Sequence, residues 1–175
     1  MKALRTIAFS ISTRLRQTLR LIRPSSSDHG AVESARHLLN DDQWEALLRL
    51  STFDRKHSLC VYSELMSAGF DDRDVLTAGL LHDIGKFSDK GAIRFADRAM
   101  YVLGSTISSG LVRSIAGRWP SSRQAILLDH PRRGAALARH LGCSPATIWL
   151  IENHADGLSA QSGDLFNLSQ ADRAC

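Results

Sequence analysis

"LTAGLLHDIGKFSDKG", residues 76–91, sets an imidazole and a carboxylate side by side at His82 and Asp83, directly behind an apolar run. A helix at the surface of a soluble protein usually finishes on solvated polar groups. This one delivers two metal-ligand side chains as if from inside a core, with Gly85 and Lys86 immediately after them. The pair has a chemical meaning only if other helices bring it partners, so the rest of the chain is read for a fold that supplies them.

Outward from that stretch, nearly everything from residue 31 reads as helix. "AVESARHLLNDDQWEALLRL" (31–50) gives one or two helices with Leu38, Leu39, Trp44, Leu47, Leu48 and Leu50 as core candidates. "DRKHSLCVYSELMSAG" (54–69) carries Leu59, Tyr62, Leu65 and Met66 at helical spacing, with Gly69 as its stop. Asp71 is placed to cap the next helix, which the pattern runs to about Ile84, ending at Gly85. From about Ile93 to Gly117 the apolar spacing continues, and Gly104 and Gly110 leave one helix or two. In "HPRRGAALARHLG" (130–142) Pro131 fits a first helical turn, so His130 precedes the helix, and Gly142 fits its stop. "SPATIWLIENH" (144–154) repeats the pattern with Ser144 as cap and Pro145 just inside it. "DLFNLSQADRAC" (164–175) makes a last short helix. No segment alternates with period two for long enough to be a strand, and the fold class expected is all-α.

Composition bounds the function. Hydrophobic residues at 43% and charged residues at 23% exclude a disordered or fibrous chain, and 175 residues suit one domain. The three cysteines, Cys60, Cys143 and Cys175, are odd in number and share no CxxC spacing. They read as reduced thiols of a cytosolic protein, with Cys60 as a small core residue. No apolar run approaches the roughly 20 residues that span a bilayer. The formal charge of +4 is unevenly placed: residues 1–27 hold six basic residues and no acid, leaving 16 basic against 18 acidic residues beyond them. A mildly acidic body argues against a nucleic-acid face there.

The division expected is a leader and linker at 1–27 and one domain at 28–175. In the leader Leu4, Ile7, Ile11, Leu15, Leu19 and Ile22 recur every three or four positions, and the arginines fill the other faces. Three readings stay open for residues 1–23: a helix packed on the domain or a partner chain, an interfacial helix on anionic lipid, and a transit-type targeting peptide. A Sec signal does not fit, because "IAFSIS" is short and polar and no clear small-residue cleavage site follows it. "SSSDHG" (25–30) reads as a linker.

Partners for the pair exist. His57 lies in the preceding helix, where an antiparallel neighbour would face His82 and Asp83; His130 stands before a helix, His154 ends one, and Asp172 lies in the last. A helical bundle converges N and O ligands on an interior site in this way. His29 reads as a linker residue, and His37 and His140 accompany arginines on polar faces.

The order His57, then His82-Asp83 within "HDIGK", then Asp172 within "LSQADRA" resembles the HD-domain metal-dependent phosphohydrolase superfamily, an all-α helical bundle. "HPRRGAALARHLG" followed by "IENHADG" is similar to its two-metal branch, which includes HD-GYP and cyclic-nucleotide phosphodiesterases. The resemblance covers about residues 50–175. "LSAQSG" stands where Gly-Tyr-Pro would follow, so it does not extend to cyclic di-GMP as substrate. Only three residues follow Asp172, which leaves little helix behind that ligand.

The resemblance implies one divalent metal ion held by His57, His82, Asp83 and Asp172, with Asp83 bridging to a second held by His130 and His154. Imidazole and carboxylate suit Mn, Fe, Co, Ni or Zn, whereas Mg prefers more oxygen. The activity implied is hydrolysis of a phosphate ester, nucleotide-like, by a metal-activated hydroxide, with Asp83 and Lys86 as catalytic residues. Lys86, Arg132 and Arg133 are candidates to meet the substrate phosphate, and Lys90 and Arg94 to line the mouth of the pocket. Lys86 has a plainer role open to it, complementing a helix C-terminus. The partner expected is a small phosphorylated substrate and no nucleic acid, and the location cytoplasmic, with peripheral membrane contact through residues 1–23 left open. The competing expectation is a catalytically silent HD-fold binding or regulatory module, docked to a membrane or partner through the basic leader.

Overall fold

Short polar side chains and two glycines cut this chain into helices. The computed structural model describes residues 28–87, 123–159 and 163–175. Its elements are α1 (Asp28–Leu38), α2 (Asp41–Leu48), α3 (Thr52–Ser67), α4 (Arg73–Leu81), a 3-10 turn at Ile84–Lys86, α5 (Arg123–His140), α6 (Pro145–Asn153), a second 3-10 stretch at His154–Ser159, and α7 (Asp164–Ala174). No strand occurs among the described residues, and the fold is all-α. The leader at 1–23, the helical stretch expected at about 93–117, and Lys90 and Arg94 lie outside the described residues.

Asn40 and Gln43 form a capping box that splits residues 31–50 into two helices. Ser144 accepts the Thr147 N–H with Pro145 behind it, as expected. Gly69 and Gly142 take φ of +87° and +71°, the left-handed conformation that stops α3 and α5. Elsewhere the local signals were misread. Asp72, not Asp71, caps α4, accepting from the N–H groups of Asp74 and Val75. Helix α1 begins at Asp28, inside the stretch read as linker. Pro131 lies within α5, not in its first turn, so His130 does not precede that helix. Leu48, a core candidate, and Met66, read at helical spacing, are 44% and 46% exposed.

Helix α4 is the axis of the molecule. Every residue from Val75 to Leu81 is buried, and α1, α2, α3, α6 and α7 all pack against it. Full burial of a leucine contributes about 1.5–3 kcal/mol, so Leu80 and Leu81, without exposed surface, anchor this core. A helix enclosed on all sides ends inside the protein, which is why its last residues lead to buried ligands and not to solvent. Its end comes earlier than the pattern suggested: the His82 N–H still bonds Ala78, after which the backbone tightens into the 3-10 turn, with Lys86 N–H on the Asp83 carbonyl at 2.9 Å.

That turn lies directly on α5. A Cβ on Gly85 would stand 2.0 Å from the His130 carbonyl oxygen and 2.5 Å from the Gly134 nitrogen. Only glycine permits this approach, and Arg133 ties it from the other helix by donating to the carbonyls of Gly85 and Phe87, each at 3.2 Å.

The reading of the cysteines is corrected. Cys60 and Cys175 are joined by a disulfide across 115 residues, and among the described residues only Cys143 is free. The pairing depends on α3 and α7 lying side by side, which no spacing in the chain announces. Among the described residues no helix is long and apolar enough to cross a membrane.

Candidate metal centre

The six side chains singled out as ligands meet at one place. His82 is the C-cap of α4 and Asp83 the residue after it, both 1% exposed. His57 reaches in from α3 and Asp172 from α7, with His57 Nε2 2.8 Å from Asp172 Oδ1. His82 Nε2 lies 3.5 Å from Asp83 Oδ2 and 3.7 Å from Asp172 Oδ1, and His57 Nε2 lies 4.0 Å from Asp83 Oδ2. On the other side of the same carboxylate, His130 Nε2 is 3.4 Å from Asp83 Oδ1 and 3.2 Å from His154 Nε2. Asp83 therefore turns one oxygen to each of two ligand sets.

One backbone device orients three of the four imidazoles. His82 Nδ1 donates to the Gly79 carbonyl at 3.0 Å, His130 Nδ1 to Leu127 at 2.8 Å and His154 Nδ1 to Ile151 at 2.7 Å, each three residues back. A carbonyl only accepts, so each Nδ1 carries the proton and each Nε2 presents its lone pair to the centre. At His130 the sequence makes room for this bond. Pro131 has no N–H, so the carbonyl four residues before it, that of Leu127, is left to His130.

Electrostatics keeps these groups in ligand form. Burial, and next the Lys86 ammonium, pull the His130 pKa down to about 3. Burial and the neighbouring His82 pull His154 down to about 4. Burial alone would raise Asp83, but Lys86 and then the surrounding imidazoles outweigh it and hold the carboxyl well below its ordinary range. Asp172 is lowered too: against burial act the His57 hydrogen bond and the nearness of the His82 and His57 rings. For His130 and His154, a neutral imidazole beside an ionised carboxylate is the protonation state a cation requires.

The residues fit a metal. His82 Nε2 is buried and has no hydrogen-bond partner. His130 and His154 aim two lone pairs at each other with no proton between them. Ligands about 2.1 Å from one ion stand about 3.0–3.4 Å apart, close to the 2.8–4.0 Å found within the two sets. His57 and His82 with Asp83 form one group able to hold an ion, and Asp83 with His130 and His154 another; Asp172 Oδ1 lies beside the first, within 3.7 Å of both its imidazoles.

The remaining candidates divide. Lys86 Nζ contacts Asp83 Oδ2 and has Asp54 Oδ1 at 4.0 Å. Arg133 is committed to the 3-10 turn, and Arg132 is exposed. His37 and His140 are exposed, as expected. Asp54 escaped notice in the sequence although it is 2% exposed beside Lys86 and hydrogen-bonded by Ser51. Its position one turn before His57 was the available signal, masked because an acid in a first helical turn is ordinary.

Neither the curated proteins nor the solved structures contain a match to this chain. The HD domain family matches residues 55–174, a span that holds all six converging side chains. With that span covering more than half its length, and an all-α fold built around His82-Asp83, the chain belongs to the HD-domain family.

Proposed function

We propose that this chain is a metal-dependent phosphohydrolase acting on a small, nucleotide-like phosphate ester, with one ion in each ligand set. One observation carries the reading: Asp83 offers its two oxygens to separate groups of imidazoles, with His57 and His82 on one side and His130 and His154 on the other. Divalent ions held there would acidify water and withdraw charge from a phosphate ester. The chain's own residues do the rest. The three Nδ1–H bonds keep His82, His130 and His154 turned inward, so no reorientation is needed when the site fills. Lys86, poised between Asp83 and Asp54, is the cation nearest the centre among the described residues and would meet the charge of the phosphoryl group. Arg132 is exposed and is the second candidate for that contact; Arg133 acts through the turn it clamps.

The test compares the Mn-loaded chain with Asp83→Ala on an aryl phosphate and a panel of nucleotides. Turnover should vanish in the variant, and equal activity in the two proteins would end the claim. Docking of residues 1–23 to anionic lipid is a separate proposal. It predicts liposome binding that weakens with salt and disappears when those residues are deleted.

A further inference from the structure

We propose that the Cys60–Cys175 disulfide is a positioning bond for the first ligand set, and that its reduction by a dithiol weakens that set selectively. The inference rests on the metal reading above. Cys60 follows His57 by one turn on α3, and Cys175 follows Asp172 by three residues at the end of α7. The bridge therefore ties together the two helices whose side chains meet at His57 Nε2 and Asp172 Oδ1, 2.8 Å apart. Asp172 is the less enclosed of the two carboxylates at the centre. Its side chain is 32% exposed, against 1% for His82 and for Asp83. The second set has other supports: His130 lies inside α5, pressed against Gly85, and His154 is buried at the end of α6.

In the switch, a thiolate of the dithiol attacks one bridge sulfur and its second thiol resolves the mixed disulfide. The Sγ–Sγ bond accepts two electrons and two protons and becomes two cysteine thiols, while the dithiol is oxidised to its own disulfide. Cys60 is the more accessible entry, since Cys175 is 1% exposed. Opening leaves α7 packed on α3, α4 and α6 but removes the covalent tie between α3 and α7 beside His57 and Asp172.

The test uses the full metal-free chain titrated with Mn²⁺, free aqua ion being read by electron paramagnetic resonance, with and without a phosphine reductant. Mn suits imidazole and carboxylate and has little affinity for thiols. That choice matters because the opened cysteines lie with Glu64 in a group that a thiophilic ion would occupy. Cys60→Ser/Cys175→Ser is titrated in parallel, and reduction of the unaltered chain keeps the test valid if that variant misfolds. The unreduced chain should bind two ions. In the reduced chain one should keep its affinity while the other weakens about 10–100-fold, the range for losing a group that orients a ligand. Identical titrations with and without reductant overturn the switch and leave the metal reading standing. Maleimide labelling of Cys60 or Cys175 in the unreduced folded chain overturns it as well. Absence of Mn binding in both forms overturns the metal reading, and the switch with it.

Discussion

The carboxylate of Asp83 faces His57 and His82 with Oδ2 and His130 with Oδ1, so removing it takes an oxygen from both ligand sets at once. Removing an imidazole takes from one set only. Asp83→Ala is therefore expected to weaken both ions by at least about 10–100-fold, whereas His154→Ala should leave one ion bound and release the other. Elemental analysis after gel filtration distinguishes the outcomes, and two ions retained by Asp83→Ala contradict the shared carboxylate. Lys86 belongs to the same unit. Its half-buried ammonium is the cation that the buried carboxylates of Asp83 and Asp54 share.

At the scale of elements, the centre depends on one crossing, the 3-10 turn on α5. Gly85→Ala would drive a methyl into the His130 carbonyl, where the neighbouring atoms are backbone and cannot swing aside. Overpacking of this kind costs about 1–3 kcal/mol. The variant should unfold at lower denaturant and also lose the ion at His130, because the turn can relieve the clash only by moving off α5. Unchanged stability together with unchanged metal content would refute the close contact. Pro131 makes the opposite test. Restoring an N–H with Pro131→Ala lets the backbone reclaim the Leu127 carbonyl from His130 Nδ1. Stability should hold or rise, by at most about 3 kcal/mol, while the ion at His130 weakens about tenfold. A calorimetric scan paired with a Mn titration separates the two effects.

Across the whole molecule, burying the centre couples stability to pH. The His130 and His154 values fall to about 3 and about 4 on folding, against about 6.5 in an unfolded chain. Between those values the unfolded chain binds protons that the folded chain refuses, so stability rises with pH from about 4 to 6.5 and is lost on acidification. Asp83 and Asp172, both lowered, extend the loss in the same direction below the ordinary carboxylate range. The metal-free chain should therefore melt progressively lower from pH 7 to pH 4.5, and a flat melting temperature over that window would contradict buried neutral imidazoles.

Residue types and spacing along the chain determined the all-α class, several helix ends, and the six candidate ligands His57, His82, Asp83, His130, His154 and Asp172, since the donor chemistry of a side chain and the helical period are local properties. Stops at Gly69 and Gly142 were legible for the same reason, whereas Asp72 as the cap of α4 was missed by one residue among neighbouring acids. Tertiary structure alone decided the rest. It placed Pro131 inside α5, buried Asp54 beside Lys86, turned Arg133 toward a backbone turn, and joined Cys60 to Cys175. Each of these depends on which helices become neighbours. That is settled by the packing of whole faces around α4, and no window of sequence contains both sides of such a contact.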